Sequence, residues 1–316
     1  MKFQSCRIVM LVLMGVLFLT ASSVYAETVE EYYNRGFAYS DEGKYDQAIS
    51  DFTKAIELNP KLADAYYNRG IAYGKKGDLT QAIADFTKAI EINPNDADAY
   101  SNRGNAYSKQ GKYDQAIADF TKAIEINPKI LRAYANRGSI YSEQGKYSQA
   151  ISDFTKVIEI NPGLAEAYYS RGFASYGQND FAQAVADYTK AIEINPKYAE
   201  AYINRGSAYA RQNNPAQAIT DFTKAIEINP SLAEGYYSRG FAFYNQDYFS
   251  QAIADYNKAI EINPKYADAY YSRGVAYFSV KEYDKSWSDV HKAVELGYTV
   301  EPQFLEALKK GSGRDK

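Results

Sequence analysis

Eight arginines recur at 34-residue intervals among tyrosines and glycines: Arg35, Arg69, Arg103, Arg137, Arg171, Arg205, Arg239 and Arg273. A guanidinium in such apolar company is costly unless it is paired and hydrogen-bonded. Eight aspartates keep the same interval, Asp51, Asp85, Asp119, Asp153, Asp187, Asp221, Asp255 and Asp289, each at the edge of a second apolar stripe. The two rows predict an Arg–Asp bridge, within a unit or to its neighbour, that fixes helix register. An outside anion is the weaker reading, because these side chains point away from the face left for ligands. A third row carries amides and hydroxyls: Asn34, Asn68, Asn102, Asn136, Ser170, Asn204, Ser238 and Ser272. Side-chain amides both donate and accept, so a ladder of them can hydrogen-bond an extended peptide backbone without reading its sequence. The plain alternative is that these residues are solvated or cap neighbouring units.

Catalysis has little to work with. The one histidine, His291, falls on a charged outer face, and Trp287 takes a core position. No P-loop, nucleophile elbow or metal-spaced His/Cys cluster is present, so no catalytic, cofactor-binding or metal residue is assigned and the chain reads as a non-enzyme. A net charge of -3 with interspersed signs leaves no basic footprint for nucleic acid.

A repeat positions these rows. Gly36 and its successors through Gly274 follow the arginines without exception, and seven prolines from Pro60 to Pro264 keep the spacing. Self-similarity at this period means a solenoid of stacked units rather than one large core. Counting from Val29, the units are 29–62, 63–96, 97–130, 131–164, 165–198, 199–232, 233–266 and 267–300. In the third, Tyr100, Arg103, Gly104 and Tyr107 share one helical face, and Ala116, Ile117, Phe120, Ala123 and Ile124 form the stripe of a second helix. Gly111 should break the chain between them in a left-handed cap, as should Gly43, Gly77 and Gly145, with Asn179, Asn213 and Asp247 as tolerated substitutes. Thr28 to Glu31 reads as a capping box for the first helix.

Tyr66, Gly70, Tyr73, Ala82, Phe86, Ala89 and Pro94, and their equivalents across residues 29–300, resemble the tetratricopeptide repeat signature. The resemblance implies an all-α, right-handed superhelix of eight helix-turn-helix repeats whose first helices line a concave groove. This chain departs from the usual pattern in its unvarying arginine, where most such repeats are apolar. The eighth unit also decays, with Ser286 and Val290 replacing the usual alanine and aromatic, as a capping repeat would. Pro302 then starts a short capping helix, 301–310, with Phe304, Leu305 and Leu308 on one side, and 311–316 is expected to be a disordered tail.

Residues 1–26 read as a secretory signal peptide: Lys2 and Arg7, an apolar run from Ile8 to Thr20, then Val24-Tyr25-Ala26 at the cleavage site. The alternative is an uncleaved N-terminal anchor. Cleavage would take the only cysteine, Cys6, and move the net charge from -3 to -5. Without thiols or Asn-x-Ser/Thr sequons, the remainder fits an exported protein of the Gram-negative periplasm, or a secreted one, not stably inserted in a membrane after cleavage.

On each first helix, positions 2, 5, 6, 9, 12 and 13 of the unit lie opposite the core stripe. Position 6 is the Asn row, and some tetratricopeptide superhelices use Asn at matching positions to hold peptides. Position 2 adds acids: Glu30, Asp64, Asp98, Glu166, Glu200, Glu234 and Asp268, broken by Arg132. Aromatics gather in units 5, 7 and 8, among them Tyr169, Phe173, Tyr176, Tyr237, Phe241, Tyr244 and Tyr271; these either anchor a ligand or pack on the adjacent first helix. The sequence therefore predicts a scaffold or assembly factor that binds extended polypeptide segments, basic ones by preference. Its candidate residues are those aromatics with Asn34, Asn68, Asn102, Asn136 and Asn204. The rival reading is a carbohydrate-binding scaffold of an envelope polysaccharide system, since tyrosine faces also stack on sugar rings.

Overall fold

The computed structural model describes residues 27–313, all in helices and the turns between them. The signal-peptide segment and the last three residues lie outside the described residues. Each 34-residue unit contributes two helices. The first helices are α1 (Val29–Asp41), α3 (Ala63–Lys76), α5 (Ala97–Lys109), α7 (Leu131–Glu143), α9 (Ala165–Gly177), α11 (Ala199–Arg211), α13 (Ala233–Tyr244) and α15 (Ala267–Ser279). The second are α2 (Tyr45–Leu58), α4 (Leu79–Ile92), α6 (Tyr113–Ile126), α8 (Tyr147–Ile160), α10 (Phe181–Ile194), α12 (Pro215–Ile228), α14 (Phe249–Ile262) and α16 (Tyr283–Glu295), and α17 (Pro302–Ser312) follows them. Packing divides the chain after Ala133 into two units. Among the described residues no helix is long and apolar enough to cross a membrane.

The second helices carry the core. In α6, Ala116, Phe120 and Ala123 are fully buried at i, i+4, i+7 spacing. The helix ends where Pro128 forbids another turn: the Asn127 amide still donates to the Ala123 carbonyl, and the Asn127 side chain accepts from Lys129 N at 3.0 Å. The partner helix approaches closely because it offers a glycine. A Cβ on Gly104 would stand 2.9 Å from the Phe120 ring, so the aromatic of α6 lies directly on α5 backbone. Each second helix also packs on the first helix of the following repeat within its unit, for example α2 on α3 and α10 on α11. Neither face of a hairpin is then left bare.

The turn inside each repeat needs one residue at positive φ. Gly43, Gly77, Gly111 and Gly145 supply it in the first four repeats, and Asn179, Asn213 and Asp247 in the next three. The eighth turn uses Lys281 at φ 63°, where the other repeats have Gly, Asn or Asp. At the N-terminus the capping box forms, with Glu31 N donating to Thr28 Oγ1 at 3.2 Å and Thr28 N donating to Glu31 Oε2 at 2.7 Å. At the other end Leu308 of α17 is fully buried against Trp287, Val290 and Val300, with Phe304 and Leu305 alongside. This last helix extends two residues beyond the expected end at 310. Gly311 and Ser312 are helical, Trp287 Nε1 donates to Ser312 Oγ at 3.0 Å, and Gly313 closes the turn at φ 68°.

Candidate functional site

Each arginine of the repeat is held by its own hairpin. Arg103 donates from Nε and Nη2 to the two carboxylate oxygens of Asp119, both at 2.8 Å. The same two-pronged pair forms at Arg69–Asp85, Arg137–Asp153, Arg171–Asp187, Arg205–Asp221, Arg239–Asp255 and Arg273–Asp289. The third prong reaches back one repeat: Arg103 Nη1 donates to Thr87 Oγ1 at 3.1 Å, as Arg69 does to Thr53 and Arg205 to Thr189. That threonine can accept because its own proton is committed to a carbonyl four residues back, Ile83 in the case of Thr87. A tyrosine three residues earlier, Tyr100 for Arg103, puts its ring 5.5 Å from the guanidinium carbon. The hydrogen bonds to Asp119 raise the Arg103 pKa further, so the group never titrates. With no repeat before it, Arg35 turns to Glu27 instead of a threonine.

The wall that could meet a ligand is made of first helices. In the first unit α1 touches α3 and α3 touches α5, and in the second α9, α11, α13 and α15 touch in sequence. The expected asparagines lie on it, and three of them are tied to a tyrosine of the preceding repeat. Asn68 Nδ2 donates to Tyr33 Oη at 2.9 Å, Asn102 to Tyr67 at 2.8 Å, and Asn204 to Tyr169 at 2.8 Å. Asn68 also donates to its own Asp64 carbonyl. Asn34 is exposed and Asn136 half-buried. The amides thus hold adjacent helices in register and keep their Oδ1 atoms for another donor.

The aromatics divide into two kinds. The tyrosines are half-buried and packed on other rings: Tyr169 stacks on Tyr198 at 4.8 Å, Tyr237 lies 5.0 Å from Tyr266, and Tyr271 stacks on Tyr298 at 4.4 Å. Tyr176 and Tyr244 pack on Phe181 and Phe249. The phenylalanines at position 9 are free, with Phe37 at 48%, Phe173 at 49% and Phe241 at 49% exposure. The acids of position 2 are exposed. Asp98 is met by Arg132, whereas Glu166 and Glu200 contribute, after burial and Tyr169, to a Tyr198 pKa pushed up to about 12. Between α9, α11 and α13 the wall opens into a cleft of about 520 Å³, lined by Tyr176, Ser207, Ala210, Arg211, Tyr237 and Phe241 among others.

Residues 63–96, 97–130, 131–164 and 199–232 match the family described as "Tetratricopeptide repeat", and residues 36–77, 174–213 and 249–280 match its description as "TPR repeat". The chain belongs to the tetratricopeptide repeat family. Solved tetratricopeptide structures share its fold. YrrB, described as a TPR protein with an unusual peptide-binding site, is 27% identical with a TM-score of 0.54, over 58% of this chain and 95% of its own. MamA is 28% identical with a TM-score of 0.50, over 52% and 96%. The C-terminal part of a TPR repeat-containing protein from Cytophaga hutchinsonii is 20% identical with a TM-score of 0.65, over 75% and 97%, and bears on the fold alone. No curated protein matches the chain.

The tetratricopeptide frame also locates the residues outside the wall. His291 is exposed, 5.5 Å from the Trp287 ring, and Trp287 is buried under α17. Among the described residues no group of three His, Cys, Asp or Glu is placed to hold a metal. Sequence reasoning missed the threonines Thr53, Thr87, Thr155, Thr189 and Thr223, which complete the arginine clamps. Their signal was a β-branched hydroxyl recurring mid-helix, where a better helix former would serve if only propensity mattered.

Proposed function

We propose that this protein binds extended polypeptide segments along the wall of first helices and so acts as an interaction scaffold or assembly factor. The observation that carries the reading is found in each unit by itself: Phe37 is exposed in the first, which also bears the tyrosine-anchored Asn68 and Asn102, and Phe173 and Phe241 are exposed in the second, which bears Asn204. Free aromatic rings beside oriented amides offer an apolar anchor and a backbone partner together. The described peptide-binding site of YrrB, on a related chain, supports the same reading. The exposed acids Glu166, Glu200, Glu234 and Asp268 favour a partner with Lys or Arg toward the N-terminal ends of these helices. The glycan reading has less to support it, because the tyrosine rings a sugar would stack on are half-buried against neighbouring aromatics. From residues 1–26 alone we place the protein outside the cytoplasm, in the periplasm or secreted.

The test is a random peptide library displayed to residues 27–316, followed by anisotropy titrations of the recovered peptides. Phe173→Ser should weaken binding of the peptides held by the second unit about tenfold or more, since the ring offers about 1.5–3 kcal/mol of burial, and Phe37→Ser should do the same for those held by the first. Asn68→Ala with Asn102→Ala should weaken it too, while Tyr67→Phe, which removes only the internal bond, should not. Recovered peptides that bind all the variants alike would remove the wall from the mechanism.

A further inference from the structure

The wall is hollowed at α11. Column 9 of the repeat reads Phe173, Ser207, Phe241 and column 12 reads Tyr176, Ala210, Tyr244, so α11 presents two small side chains between bulky neighbours. The result is the 520 Å³ cleft, with Tyr176, Tyr237 and Phe241 around it and Phe222 of the core at its lining. A void of about 150 Å³ already admits a benzene ring, so this one takes an aromatic side chain with room for its neighbour. Arg211 lines the same cleft and is exposed. Every other arginine among the described residues has a carboxylate partner. Arg211 has none and lies 5.3 Å from the Phe181 ring centroid.

We propose that this cleft receives one aromatic side chain of the bound polypeptide and that Arg211 pairs with a carboxylate on the adjoining residue. This rests on the peptide-binding reading and adds the chemistry of the partner, an aromatic residue flanked by an acidic one. The acid is compatible with a basic stretch elsewhere in the same partner. Glu200 and Arg211 stand at opposite ends of α11, about 16 Å apart at 1.5 Å per residue. A segment crossing the wall therefore meets acids at one end and Arg211 at the other.

Three fluorescein-labelled, end-capped nonapeptides of Gly and Ser, carrying a central Phe-Glu, Phe-Gln or Ser-Glu, test this by anisotropy. The Phe-Glu peptide should bind about fivefold more tightly than Phe-Gln, the scale of an exposed ion pair, and at least about tenfold more tightly than Ser-Glu. Arg211→Gln should make Phe-Glu and Phe-Gln equal. Ala210→Trp, at an exposed helix position, should fill the cleft and weaken both at least about tenfold while leaving the circular dichroism unchanged. Failure of Phe-Glu to bind, or binding undiminished by Ala210→Trp, overturns the inference. If library peptides respond to Phe173→Ser yet ignore Ala210→Trp, the wall survives and the cleft does not.

Discussion

Replacing Arg103 by leucine should cost more than replacing Arg103 and Asp119 together. The Asp119 side chain is 9% exposed and that of Arg103 16%, so the pair is largely withdrawn from water. In the single variant the carboxylate stays where it is and loses both bonds at 2.8 Å. Removing one partner of such a buried pair costs about 3–5 kcal/mol, whereas apolar replacement of both is often nearly neutral. The stabilisation of the fold by the bridge is therefore small, while the penalty for breaking it is large. Thr87→Val isolates the prong between repeats and should cost about 1 kcal/mol, the net worth of one hydrogen bond. Its effect should also broaden the unfolding transition, because in a stacked array cooperativity comes from the interfaces. Urea unfolding followed by far-ultraviolet circular dichroism reads all of this. At a denaturant slope of about 3 kcal/mol per molar, Arg103→Leu should move the midpoint down by about 1 M or more. Arg103→Leu with Asp119→Leu should recover most of that shift. A double variant no more stable than Arg103→Leu would refute the burial argument.

Further outcomes follow from local geometry. Gly104→Ala should destabilise by about 1–3 kcal/mol, because its Cβ would stand 2.9 Å from Phe120, and Phe120→Leu in the same chain should relieve part of the loss; equal stability of Gly104→Ala and the parent would contradict the close approach. Lys281→Gly should raise the melting temperature by about 2 °C, since a left-handed lysine at φ 63° costs about 1–2 kcal/mol against about 0.5–1 for the added freedom of unfolded glycine; a lower melting temperature would refute it. Burial, then Tyr169, Glu166 and Glu200, push the Tyr198 pKa up to about 12, so between about pH 10 and 12 the folded state holds a proton the unfolded state releases. Stability should accordingly fall as pH rises through that window and fall less in Tyr198→Phe; identical pH profiles would remove the cause. Expression in a Gram-negative host should yield a secreted or periplasmic chain beginning at Glu27, read by N-terminal sequencing, and retention of Met1 would refute the export reading.

Much of this molecule was legible because its punctuation is chemical and local. Gly111 marks a turn that only a left-handed residue can make, and Pro128 a helix that cannot continue, whatever surrounds them. Arg103 and Asp119 were legible as a pair for an energetic reason, since neither charge can enter an apolar stripe alone. What stayed hidden depends on how one hairpin rotates onto the next. Thr87 looks like a solvated edge until stacking brings the following arginine over it. Asn102 looks like an open ligand group until the same stacking places Tyr67 at 2.8 Å. The spacing of that bond, 35 residues, is one repeat plus one, a number that states the offset between adjacent first helices but cannot be chosen over its neighbours without their geometry. The cleft was hidden for a different reason. Attention to bulky aromatics finds Phe173 and Phe241 yet passes over Ser207 and Ala210 between them, although in a stack of near-identical repeats a recess can be written only by a column of large residues interrupted by small ones. Variation within a column is thus where a repeat chain records specificity, and constancy within a column is where it records the fold.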